Sequence, residues 1–214
     1  MSKLVSVSGA AGTGKSTLLE NLRYRVNGFR VARAVLNKMK MDLYDIVKDP
    51  FKTMEFQDLI LEWKIANDSS LHEDNNVEWT FVERCPADFY AFAKTWQPRF
   101  NSPEYDEWLK VYYSECFNAM KHYDVAIIIP PGKFAHIDDG VRAKADTQDD
   151  THAFLDHFLS ERWLYTNFDK PRFHLHRLRS SDIIDRVNEV DQSLKDAKEY
   201  FTPIFEKFGQ MSNL

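Results

Sequence analysis

The chain has 214 residues, 43% hydrophobic and 29% charged, with a formal net charge of −5. That suits one sizeable globular domain, and the acidic balance argues against a broad basic face for nonspecific duplex binding. Cys85 and Cys116 offer neither a disulfide framework nor metal-ligand spacing, Met1-Ser2-Lys3 shows no signal-peptide pattern, and the longest apolar stretch, Val125 to Pro131, is far below bilayer length, so a cytoplasmic protein with no membrane partner is expected.

In chain order, Leu4-Val5-Ser6-Val7-Ser8 reads as a short buried strand. Gly9-Ala10-Ala11-Gly12-Thr13-Gly14-Lys15-Ser16, with Thr17 behind it, fits the phosphate-binding pattern G-x-x-x-x-G-K-[ST]. Lys15–Val26 reads as the helix that must follow. The glycines let successive N–H groups turn inward onto phosphate oxygens, and the helix N-terminus adds partial positive charge. Lys15 is placed to reach the β- and γ-phosphates of ATP, and Ser16 to ligate Mg²⁺.

Phe29–Val35 reads as a second strand and Thr53–His72 as a long helix on which Phe56, Gln57 and Trp63 read first as packing residues and second as candidates for an acceptor pocket. Val77–Glu83 reads as a third strand, ending in Glu83-Arg84-Cys85-Pro86-Ala87-Asp88. A strand-end carboxylate suits Mg²⁺, an arginine fork suits phosphate, and Asp88, about a turn further on, is placed to accept a proton from an acceptor hydroxyl. The same residues would also make an ordinary salt-bridged helix cap.

Pro86–Arg99 and Pro103–His122 read as helices with proline in the first turn, and Asp124–Ile129 as a fourth strand. The connection after it, roughly 130–150, holds Asp138, Asp139, Arg142 and Lys144 between turn signals and reads as a lid whose Arg142 closes over the γ-phosphate, or as a solvated turn. Thr147–Asn167 reads as a helix, Phe173–Leu178 as the fifth strand and Ser181–Phe208 as the last helix. His174 and His176 share one strand face, a structural arrangement, while Arg179 is placed to flank an adenine or sit in a solvated turn. Strands alternating with helices predict an α/β fold over residues 1–214, a five-stranded parallel sheet flanked by helices, with ligands beyond the carboxyl ends of its strands.

Gly9–Thr17, Glu83–Asp88 and Asp139-Gly140-Val141-Arg142 together resemble the P-loop kinases: thymidylate-kinase-like enzymes, deoxynucleoside kinases and nicotinamide riboside kinase-like ATPases, a group with many small phage-encoded members. The resemblance implies MgATP-dependent transfer of the γ-phosphate to a nucleoside or nucleoside monophosphate, with Lys15, Arg84, Asp88 and Arg142 catalytic, Ser16 and Glu83 at the metal, and a homodimer as partner state. Cys85 departs from the hydroxyl or tyrosine that usually follows the acid-arginine pair, and Val31–Val35 has no counterpart of the deoxynucleoside-kinase glutamate, which favours Asp88 as the base. The chain also resembles, in the same motifs, phage kinases of 5-hydroxymethyluracil in DNA; that reading needs a basic or aromatic groove, for which Lys38–Lys40, Trp96, Arg99 and Arg177–Arg179 are the candidates, and the net charge of −5 counts against it. A P-loop ATPase switch is the third reading; Asn37-Lys38-Met39-Lys40 lacks the aspartate of a guanine-specificity motif and comes too early in the chain for a GTPase.

Overall fold

The computed structural model describes residues 2–73, 76–132, 147–161 and 173–211. Five parallel strands, β1 (Lys3–Ser8), β2 (Arg25–Asn27), β3 (Trp79–Glu83), β4 (Val125–Ile128) and β5 (His174–Arg177), form one sheet in the order β2-β3-β1-β4-β5. Helices α1 (Lys15–Asn21), α2 (Val31–Met39), α3 (Leu43–Ile46), α4 (Pro50–Ser69), α5 (Pro86–Phe100), α6 (Pro103–Ala119), α7 (Gln148–Ser160) and α8 (Ile183–Met211) connect and cover it.

The period of two along each strand divides the core. Val5, Val7, Phe81, Val125 and Ile127 pack with α1 and α8 on one face, while Leu4, Val82, Ala126 and Ile128 pack with α4, α5, α6 and α7 on the other. Prolines at the first helical positions of α4, α5 and α6 follow Asp49, Cys85 and Ser102 as caps; Asp49 and Ser102 accept backbone N–H bonds.

The second strand is not where the apolar run placed it. Phe29–Val35 was expected as strand, yet Val31–Met39 is helix: Val31 and Val35 are buried at i and i+4, with Leu36 and Met39 packed beside them. The strand lies instead within the stretch expected to prolong the first helix. From Leu22 to Val26 the chain alternates inward and outward, with Arg23 and Arg25 exposed and Tyr24 stacked 5.3 Å from Phe81. The other four strands and the long helices fall where expected within a few residues, although 162–167, the end of the expected Thr147–Asn167 helix, lies outside the described residues.

On β5 and α7, burial pushes the His174, His176 and His152 imidazoles below their ordinary value. For these groups the unfolded chain binds more protons, so their contribution is present above the unfolded value near 6.5 and is lost as pH falls through it. Denaturant titrations are expected to show lower stability at pH 5 than at pH 7, and His174→Phe is expected to reduce that difference.

Candidate active site

The carboxyl end of β1 runs into Gly9, whose φ of 146° only glycine adopts freely; a Cβ there would meet the Ile129 carbonyl oxygen at 2.7 Å. Gly12 and Gly14 also have positive φ, and Gly14 caps α1. Lys15 is buried and donates to the Gly9 and Ala10 carbonyls at 2.8 and 2.6 Å. The lysine rests on the loop's own oxygens.

A cavity of about 270 Å³ opens over this loop, walled by Ala10, Ala11, Gly12, Gly14, Lys15, Ser16 and Thr17, by Glu83 and Arg84 from the β3 end, and by Leu43, Phe92, Thr147, Gln148 and Thr151. The Ser16 hydroxyl donates to Glu83 Oε2 at 3.5 Å. Two hard oxygen donors on one wall suit Mg²⁺, which takes few protein ligands and completes its shell with water and phosphate oxygens. Arg84 has φ 65°, a left-handed conformation rare outside glycine, with its N–H held by the Val7 carbonyl at 2.9 Å. This turn carries the guanidinium to the cavity, with Nη1 on the Gly9 carbonyl at 3.3 Å.

Asp88 has a different setting from the one expected of a proton acceptor. It is 1% exposed and is not part of the cavity wall. Its Oδ1 accepts from the Gly9 N–H at 3.0 Å, its Oδ2 from the Cys85 N–H at 2.9 Å, and Arg84 Nη1 lies 3.5 Å from Oδ1. Asp88 thus caps α5, fastens the first glycine of the loop to it, and balances Arg84. Cys85, the departure from the kinase pattern, is fully buried beside the Ser8 hydroxyl at 3.4 Å. Burial first, and then the Asp88 charge, push its thiol up to about 12. Neither Cys85 nor the equally buried Cys116 is expected to react with iodoacetamide in the native protein at pH 8, and both should react in denaturant; rapid native labelling of Cys85 would contradict this environment.

Three supporting side chains had no sequence motif to announce them. Lys64 of α4 is buried and donates to the Glu83 carbonyl at 3.0 Å while paired with Asp68 at 3.1 Å. Asp68 also accepts from the Tyr123 hydroxyl at 2.6 Å. Arg186 of α8, fully buried, donates to the Thr13 carbonyl at 3.3 Å and the Ser180 carbonyl at 2.9 Å. Gln148, at the start of α7, donates to the Ala11 carbonyl at 2.6 Å. All three donate to backbone carbonyls distant in the chain, so in the sequence they read as ordinary polar residues.

The remaining candidates are dispersed. Phe56 is core, Trp63 is half-buried beneath the Lys38 ammonium at 4.9 Å, and Gln57 is buried with its oxygen accepting from Tyr112 at 3.2 Å. The Arg179 N–H is held by Glu189 at 2.8 Å. Arg142, with Asp138, Asp139, Lys144 and most of the expected lid, lies outside the described residues. No helix among the described residues is long and apolar enough to cross a membrane.

A family model described as an AAA domain matches residues 4–175. No curated protein sequence matches the chain. Deoxyadenosine kinase from M. mycoides, solved with the products dCMP and a flexible dCDP, aligns with a TM-score of 0.56 and 14% identity over 90% of this chain and 99% of that one. Thymidylate kinase from Candida albicans aligns with a TM-score of 0.57 and 10% identity over 92% of each. At such identities the likeness is one of fold. The chain belongs to the AAA domain family and is built on the P-loop fold of the nucleoside and nucleotide kinases.

Proposed function

We propose that this protein transfers the γ-phosphate of ATP to a nucleoside or nucleoside monophosphate. The carrying observation is that Lys15, Ser16, Glu83 and Arg84 line one cavity over a glycine loop. Such transfer is mainly positioning and charge neutralisation, and these residues supply both. The loop N–H groups and Lys15 bind the donor phosphates; Ser16 and Glu83 would hold Mg²⁺, which neutralises phosphate charge when bound; Arg84 meets the transferring or acceptor phosphate; Arg142 is the lid cation.

Asp88 enters this reading as a positioning residue for Gly9 and Arg84. In Asp88→Asn the amide nitrogen faces one of two backbone N–H groups, so one buried bond is lost, at a cost of about 1–3 kcal/mol. The expected result is a raised KM for ATP with an unchanged pH profile of kcat. A kcat that falls by orders of magnitude at unchanged KM, and loses its acidic limb, would instead make Asp88 the base.

The acceptor is identified by incubating the protein with MgATP labelled in the γ-phosphate and a panel of nucleosides, nucleoside monophosphates, nicotinamide riboside, and DNA with and without 5-hydroxymethyluracil. Label on a free nucleoside or nucleotide is the expected result. Label on modified DNA alone would replace the small acceptor by a DNA base, and inorganic phosphate alone would make the protein an ATPase.

A further inference from the structure

The net charge of −5 conceals a strongly basic segment. From Asn21 to Met41 the chain has six cationic side chains, Arg23, Arg25, Arg30, Arg33, Lys38 and Lys40, and no aspartate or glutamate. Arg23 is paired with Asp191 at 2.6 Å, and Lys38 lies over Trp63. Arg30, Arg33, Asn37 and Lys40 are all exposed. Their spacing of three, four and three places them along one face of α2, opposite the buried Val31 and Val35. At 1.5 Å per residue this stripe is about 15 Å long.

Its position ties it to the site. Arg30, with Phe29, Asn27 and Gly28, lines a second cavity of about 240 Å³ that shares Ser16 and Glu83 with the cavity over the loop. At the other end, Leu43, three residues past Lys40, lines the loop cavity itself. Arg30 at one end of the basic face thus stands in the wall of one cavity, and Lys40 at the other end lies three residues before a wall residue of the other.

We propose that this face of α2 binds the backbone of a single strand of nucleic acid, with one base presented to the cavity beside Phe29. Charge complementarity favours a polyanion, because an exposed stripe of cations without an intervening carboxylate is the footprint of phosphate binding. A single strand fits better than a duplex: its bases are already unstacked enough to enter a cavity, whereas a duplex nucleotide must first be extruded at an energetic cost. A half-buried aromatic beside cations is a stacking platform for a base. The binding does not rest on the function proposed above, whose acceptor is a free nucleoside or nucleotide.

Binding is measured by fluorescence anisotropy, without ATP, on end-labelled DNA and RNA single strands of about 15 nucleotides, a length within the range such faces cover. Three phosphate contacts predict a slope of log affinity on log salt of about −2. Arg30→Gln/Arg33→Gln/Lys40→Gln, its fold checked by circular dichroism, is expected to bind about tenfold or more weakly at low salt and to lose most of that slope. No binding by the native protein, or equal affinity and slope in the variant, overturns the proposal, and equal affinity for duplex DNA overturns its single-strand form. Phosphorylation of free acceptors without strand binding removes this inference alone; strand binding without transfer to any acceptor removes the catalytic reading alone.

Discussion

Lys15→Met is expected to reduce phosphoryl transfer by about 10²–10³-fold, the loss seen when one preorganised donor to transition-state charge is removed. The structure gives the reason and a control. The Lys15 ammonium is buried and held by two loop carbonyls, so it is poised to turn onto phosphate without crossing solvent. Methionine keeps much of the side-chain length and removes the charge and both bonds. The loop's shape is fastened independently, by Asp88 on Gly9, Arg186 on Thr13 and Gln148 on Ala11. The variant should therefore stay folded while kcat collapses, measured at saturating MgATP. A rate within tenfold of the native one would remove the phosphate-loop lysine from the chemistry.

Lys64→Met is expected to be the most damaging change outside the loop. Lys64 and Asp68 are both 1% exposed, so removing the cation leaves a buried carboxylate with its charge uncompensated. Breaking such a pair from one side costs about 3–5 kcal/mol, a large part of a typical domain's stability. The Glu83 carbonyl also loses its donor, which loosens the strand end that carries the proposed metal carboxylate. Chemical denaturation should show the loss of stability directly. Lys64→Met/Asp68→Leu removes both charges and is expected to recover much of it, because an apolar replacement of the whole pair leaves no buried charge. If the single variant were as stable as the native protein, the pair would have no structural role.

The sequence carried the parts of this fold that repeat a local rule. The glycine loop between a strand and a helix is legible because both its neighbours must be what they are, and Glu83-Arg84 is legible because an apolar strand ends there. The five-stranded parallel sheet followed from the alternation of elements. The second strand is not legible because Val31 to Val35 reads equally as β-rich composition and as one helical face, and only packing against α4 decides between them. For Asp88 the spacing from Arg84 is visible in the sequence and allows both a proton acceptor and a salt-bridged cap, while the Gly9 N–H on its carboxylate comes from 79 residues away and is not visible there. Lys64, Arg186 and Gln148 were invisible for the same reason: their partners are backbone carbonyls distant in the chain, and a carbonyl has no letter in the sequence.

The measurement that bears most directly on the central claim is the rate of ADP formation from MgATP with and without added acceptor. The phosphotransferase reading predicts little ADP in buffer alone, a large stimulation by at least one nucleoside or nucleoside monophosphate, and one phosphorylated acceptor for each ADP formed. ADP formed at the same rate whether or not an acceptor is present, with all of the phosphate released as inorganic phosphate, would contradict it.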